Sequence, residues 1–163
     1  MMDTELFILA RVMHVLGVVL WIGGVAFVTT VLLPSLRRNT DPARRLELFE
    51  NLEGRFAWQA RIVTLVTGIT GFSMLHFLDA WGRYQDPAYW WIHLMTLVWV
   101  LFTMVLFVLE PLVLHRWFHE RATADSERAF RLVQAMHVVL LTLSLVAVAG
   151  AVAGAHGYDF GSR

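Results

Sequence analysis

The chain has 163 residues, 58% of them hydrophobic and only 16% charged, with a mean hydropathy of +0.60. A soluble domain of this length carries more charge and fewer apolar residues. Thirteen basic residues, all arginine, balance thirteen acidic ones, which leaves no net field to draw nucleic acid or an acidic substrate. The absence of cysteine excludes disulfides, thiolate metal sites and cysteine nucleophiles.

Four apolar runs, residues 6–33, 57–80, 89–115 and 130–155, each reach the roughly 20 residues that a helix needs to cross a bilayer core. The opening Met-Met-Asp-Thr-Glu has no basic region and no small-residue cleavage site follows the first run. That run is therefore expected to be a retained helix and not a signal peptide. It ends at Pro34. In the first connection, Asp41-Pro42 precedes Leu48, Phe49, Leu52 and Phe56, set among Arg44, Arg45, Glu47, Glu50 and Glu53. This spacing puts the apolar side chains on one helical face and predicts a short interfacial helix. The second connection is short and flanked by Trp81, Trp90 and Trp91, rings suited to the headgroup layer. Asp86-Pro87 reads as an N-cap with proline at the first helical position of the third run. Asp125 or Ser126 can cap the fourth, and Gly154 and Gly157 end it. The predicted architecture is all-α: one integral membrane domain, an up-and-down four-helix bundle with a short interfacial helix in its first loop.

Arginine sets the expected orientation. Connections one and three carry Arg37, Arg38, Arg44, Arg45, Arg55, Arg116, Arg121 and Arg128, against Arg11, Arg83 and Arg163 on the other side. The positive-inside rule places those connections in the cytoplasm and both termini outside, in the periplasm if the membrane is a bacterial inner membrane.

An ionisable residue inside a membrane helix suggests function, because burying it is costly. Each run holds a histidine: His14, His76, His93 and His137; His115, His119 and His156 lie near helix ends. From the helical rise, His14 lies roughly 12 Å and His76 and His93 roughly 6 Å below the outer edge, with His137 roughly 10 Å in from the cytoplasmic edge. Arg11, His14, Gly17, Trp21 and Gly24 share one helical face. An axial imidazole, a glycine slot for a flat macrocycle and a cation for a propionate are what b-type haem requires. The alternative is that the glycines only let helices approach, His14 bonds a neighbouring helix and Arg11 snorkels to the surface. In the third run Thr96, Thr103 and Glu110 recur every seven residues below His93. Glu110 is either a member of a proton path or the partner of an arginine such as Arg116, while the threonines are expected to bond back to their own helix. Gln134, His137, Leu141 and Ser144 lie along one side of the fourth run, and Asp79 follows His76 closely enough to orient it. Methionine accompanies histidine in every run (Met13, Met74, Met95, Met136), a pairing suited to Cu(I), although adjacent helical residues diverge by about 100°.

Three segments resemble the four-helix membrane superfamily of the HemJ-type protoporphyrinogen oxidase and the copper-resistance CopD domain. They are Met13-His14-Val15-Leu16-Gly17 through Trp21-Ile22-Gly23-Gly24; Phe49-x-x-x-Glu53-x-Arg55 with Thr67-Gly68; and Trp91-Ile92-His93-Leu94-Met95. Met95 stands where the family's oxidase carries a lysine, and the chain has no lysine. The resemblance implies a membrane b-type haem protein with His14 as leading axial ligand.

The leading expectation is a small cytochrome b for electron transfer or haem-dependent redox chemistry, with quinol, a porphyrinogen or a periplasmic partner. One haem is expected and a second is conceivable. His14 and His93, on diagonal helices at comparable depth, are the preferred iron ligands; His76 could replace His93, and His137 could serve a second haem or a quinone. The alternatives are a CopD-type copper or small-substrate transporter and a structural subunit of a larger complex. The lipid-facing surface leaves room for a homodimer.

Overall fold

A computed structural model of the chain describes residues 2–39, 41–114, 120–121 and 125–158. Backbone polar groups have no water to bond in a bilayer, so each apolar run closes its bonds internally as a helix. Helix α1 (Met2–Phe27) passes through a π turn (Val28–Leu32) into α2 (Leu33–Asn39). Helix α3 spans Pro42–Phe77; two 3-10 turns (Trp81–Gln85 and Pro87–Tyr89) lead into α4 (Trp90–Met104), a π segment (Val105–Leu114) continues it, and α5 spans Ser126–Ala155. Four stretches are long and apolar enough to cross a membrane: Thr4–Arg38, Glu47–Phe77, Pro87–Leu112 and Ser126–Ala155. No strand occurs among the described residues. The protein is an all-α four-helix membrane bundle.

The helices pack as a ring, α1 on α3 and α5, and α4 on α3 and α5, which sets α1 diagonal to α4. Those two meet across the centre, where the Trp21 and Phe102 rings lie edge to face with centroids 4.8 Å apart. A central apolar cluster joins Trp21, Val25, Val98, Phe102 and Leu141. A second, at the arginine-rich end, joins Val28, Leu33, Leu36, Phe49, Ala129 and Phe130. Leu9, Val15, Leu16, Ile69, Leu97 and Val139 are among the many large apolar side chains left facing outward, as expected of helices solvated by lipid.

Two boundaries differ from expectation. The first run does not stop at Pro34. Proline lacks an N–H and crowds the preceding turn; here that turn is widened to π geometry, with the Leu33 N–H bonded to the Val28 carbonyl. Thr29 and Thr30 donate to the carbonyls of Val25 and Ala26 at 2.6 and 2.8 Å, so the helical path continues. The predicted interfacial helix is the N-terminal part of α3, a single helix of 36 residues. Half of its apolar face covers protein: Phe49 is buried edge to face on Phe130 of α5, and Phe56 lies on Gly24 of α1. Leu48 and Leu52 are exposed. Helix α5 begins at Ser126, ahead of the apolar run, and Asp125, one of the two expected caps, accepts from the Arg128 N–H at 3.0 Å. Asp86 accepts likewise from Ala88 at 2.9 Å, and Gly157 takes φ +80° just beyond α5.

Candidate functional site

His14 is half-buried on α1 against α3. Its Nδ1 lies 2.9 Å from the Thr67 carbonyl and 3.4 Å from the Thr70 hydroxyl. A carbonyl can only accept, so Nδ1 carries the proton and Nε2 keeps its lone pair. The Thr67 and Thr70 hydroxyls donate back to the Val63 and Val66 carbonyls at 2.8 and 2.6 Å. The ring rests on Gly71, where an added Cβ would stand 3.0 Å from the imidazole Cε1. One ring nitrogen fixed by a carbonyl and the other free is the arrangement in which histidines ligate metals.

The remaining site candidates are dispersed. His93 donates from Nε2 to the Tyr84 carbonyl at 2.9 Å and lies edge to face on the Tyr84 ring, on the exposed side of α4. With Tyr84, Gln85, Pro87 and Trp90 it lines an open pocket of about 330 Å³. The preferred partners His14 and His93 thus engage different elements. His76 is exposed near the end of α3, its ring 6.5 Å from that of Phe77. Asp79, predicted to orient it, adopts φ +48° and closes that helix, with Ala80 N–H on the Leu75 carbonyl. His137 and His156 donate from Nδ1 to the carbonyls four residues before them, Val133 and Val152, at 2.9 and 2.8 Å. Arg11 is exposed. His115, Arg116 and His119 lie outside the described residues.

The glycines are occupied by protein. A Cβ at Gly17 would stand 2.4 Å from the Thr67 hydroxyl, one at Gly68 2.4 Å from the Trp99 indole, and ones at Gly150 and Gly154 2.7 and 2.3 Å from Trp90 and Trp91. The space that Gly17 opens is therefore filled by Thr67. No group of three histidine or carboxylate side chains suited to a metal ion occurs among the described residues. Of these side chains, His14 keeps one imidazole nitrogen turned away from its bond to Thr67, where a single metal ligand could be offered. The filled Gly17 cleft does not fit a macrocycle.

Glu110 pairs with an arginine, as one of the two expectations had it, and that arginine is Arg61 of α3, inside the second apolar run. Arg61 also donates from Nε to the Leu106 carbonyl at 3.0 Å. Leu106 lies in the π segment, where its carbonyl would bond the N–H five residues on. That residue is Pro111, which has none. One guanidinium thus neutralises the carboxylate and supplies the donor that the proline withholds. Thr96 does bond back to its own helix, to the Ile92 carbonyl at 2.9 Å, and shares a 2.6 Å bond with the Tyr84 hydroxyl.

The arginine-rich end is closed by a clamp across α2, α3 and α5. Arg37 pairs with Glu127 and donates to Gln134 at 2.7 Å. The buried Arg45 reaches Glu127 at 3.4 Å and the Arg37 carbonyl at 3.1 Å, with its guanidinium 5.6 Å from the Phe130 ring centroid. Comparison with protein families, characterised proteins and solved structures finds no match for this chain. What fold and site define together is a four-span membrane bundle with a half-buried imidazole on one side of its centre and a charge pair on the other.

Proposed function

We propose that the protein is a b-type haem protein of the bacterial inner membrane, with periplasmic termini, performing haem-dependent redox chemistry on quinol, a porphyrinogen or a periplasmic electron partner. The observation that carries this reading is the Thr67 carbonyl on His14 Nδ1, which presets one tautomer and leaves Nε2 as a ligand inside the membrane. Arg37, Arg38, Arg44, Arg45 and Arg55 support the orientation. Bound at His14, haem would supply one-electron redox chemistry. The chain's own part is to fix the imidazole through Thr67, to keep Gly71 bare beneath it and to exclude water with the surrounding apolar helices.

A second reading makes the histidines structural ties in a subunit of a larger membrane complex. It is favoured by the bond from His14 to the neighbouring helix α3 that this alternative expects, by the carbonyl bonds of His93, His137 and His156 and by the filled glycine clefts. An absorption spectrum of the detergent-purified protein, expressed with ample haem and then reduced with dithionite, separates the two. A Soret band with reduced α and β bands, lost in His14→Ala and kept in His93→Ala, is the expected result. A colourless protein refutes the haem reading and leaves the structural one standing.

A further inference from the structure

Three polar side-chain atoms near the middle of the bundle are buried without a hydrogen-bond partner among the described residues: Trp21 Nε1 on α1, Thr64 Oγ1 on α3 and Thr103 Oγ1 on α4. Thr64 is 0% and Trp21 4% exposed. The atoms come from three helices but from one level, to within about one helical turn. Gly17 of α1 meets Thr67 of α3 and Gly24 meets Phe56, an antiparallel register that sets Trp21 level with Ala60 and Val63. On α4, Trp99 fills the space at Gly68 and Leu106 accepts from Arg61, and the same register opposes Thr64 to Thr103. Trp21 in turn packs on Phe102, the neighbour of Thr103.

Proteins seldom leave buried donors or acceptors unpaired, because each forfeits its bonds to water. Three at one level call for a shared partner. The donor set describes it: one N–H that only donates and two hydroxyls that donate and accept. The surrounding cluster of Val25, Val98, Phe102 and Leu141 is apolar, and the Arg61–Glu110 pair, one turn nearer the arginine-rich end, is already self-neutralised. The site therefore suits a small neutral molecule with two donors and two acceptors. A buried water needs two to four polar partners. Thr67, Thr70 and Thr142 bond back to carbonyls of their own helices, whereas Thr64 and Thr103 do not.

We propose that Trp21, Thr64 and Thr103 bind water at the centre of the bundle. The inference stands whether or not the protein binds haem. Its test is water cross-relaxation in NMR of the full-length protein carrying 15N-tryptophan in detergent micelles, with the Trp21 indole assigned by its loss in Trp21→Phe. A cross-peak between the Trp21 indole proton and water is expected, absent in Thr64→Val and Thr103→Val and retained in Thr64→Ser. No water cross-peak in the unmutated protein, or one unchanged in the Thr64→Val/Thr103→Val double variant, overturns the proposal. Thermal unfolding gives an independent sign. A shared water makes each valine lower Tm, with the double variant losing less than the sum. Hydroxyls that are simply unpaired make valine raise Tm, and a rise overturns the proposal too.

Discussion

Arg61→Leu tests how the arginine-rich half of the bundle holds together. The substitution removes the partner of Glu110 and the donor to the Leu106 carbonyl in one step. Both groups are sheltered, with side-chain exposures of 26% for Arg61 and 20% for Glu110. Stranding one member of a buried ion pair costs about 3–5 kcal/mol, and leaving a buried carbonyl unpaired costs about 1–3 kcal/mol. The two groups share one donor and one site, so the expected net loss is about 4 kcal/mol, the low end of the summed costs. The double variant Arg61→Leu/Glu110→Leu removes both charges and should lose only the carbonyl's share, about 1–3 kcal/mol. Adding Pro111→Ala restores an N–H in the register that Leu106 lacks and should recover most of the remainder. Unfolding by SDS titration in dodecyl maltoside micelles, followed by circular dichroism and by the fluorescence of the seven tryptophans, reads all three. If the double variant is as unstable as Arg61→Leu, or if Pro111→Ala recovers nothing, the assignment of Arg61 to both tasks is wrong.

Other substitutions probe the packing and the caps. Gly68→Ala drives a methyl into the Trp99 indole and should cost about 1–3 kcal/mol, whereas Gly23→Ala, with open space at its Cβ, should be neutral or slightly stabilising; the same unfolding titration compares them. Asp125→Ala removes the acceptor of the Arg128 N–H and should cost about 1 kcal/mol, with fraying confined to the first turn of α5 and visible as faster amide hydrogen exchange there. Glu127→Gln weakens the Arg37–Arg45 clamp. Because Glu127 is 45% exposed, the loss should be only about 0.5–1 kcal/mol, and unfolding titrations at rising salt should show it shrinking.

The spans and their antiparallel order were legible in the sequence because a bilayer imposes a length and composition that no other environment does. Helix ends were less so. Pro34 reads as a stop, yet Val28–Leu32 absorbs it as a π turn, an irregularity with no local sequence signature. Phe49 and Phe56 gave a correct amphipathic face and a misleading destination, since periodicity reports that a face is apolar but not whether lipid or protein covers it. The polar stripe of Thr96, Thr103 and Glu110 was visible from spacing alone. The partners of its two ends, Tyr84 for Thr96 and Arg61 for Glu110, were not, because they depend on how other segments pack against α4.

That register carries a general consequence for the charge pair. A lone arginine in one apolar run and a lone glutamate in the next can meet only if their depths match across an antiparallel pair. Arg61 near the start of the second run and Glu110 near the end of the third satisfy that condition, since both lie toward the arginine-rich end. Matching depth does not supply the reason for the charges. A π segment interrupted by proline leaves a carbonyl in the membrane with no N–H of its own helix in reach. A guanidinium is the side chain that can bond a carbonyl through Nε while pairing a carboxylate through Nη2. On this argument Glu110 keeps Arg61 tolerable in the membrane, and Arg61 keeps Pro111 tolerable in the helix. Lysine has the charge but lacks the second, differently directed donor, so Arg61→Lys should retain the ion pair and still lose the carbonyl bond. Its measured stability should therefore fall between that of the unmutated protein and that of Arg61→Leu; a value equal to the unmutated protein's would mean that the Leu106 bond contributes nothing.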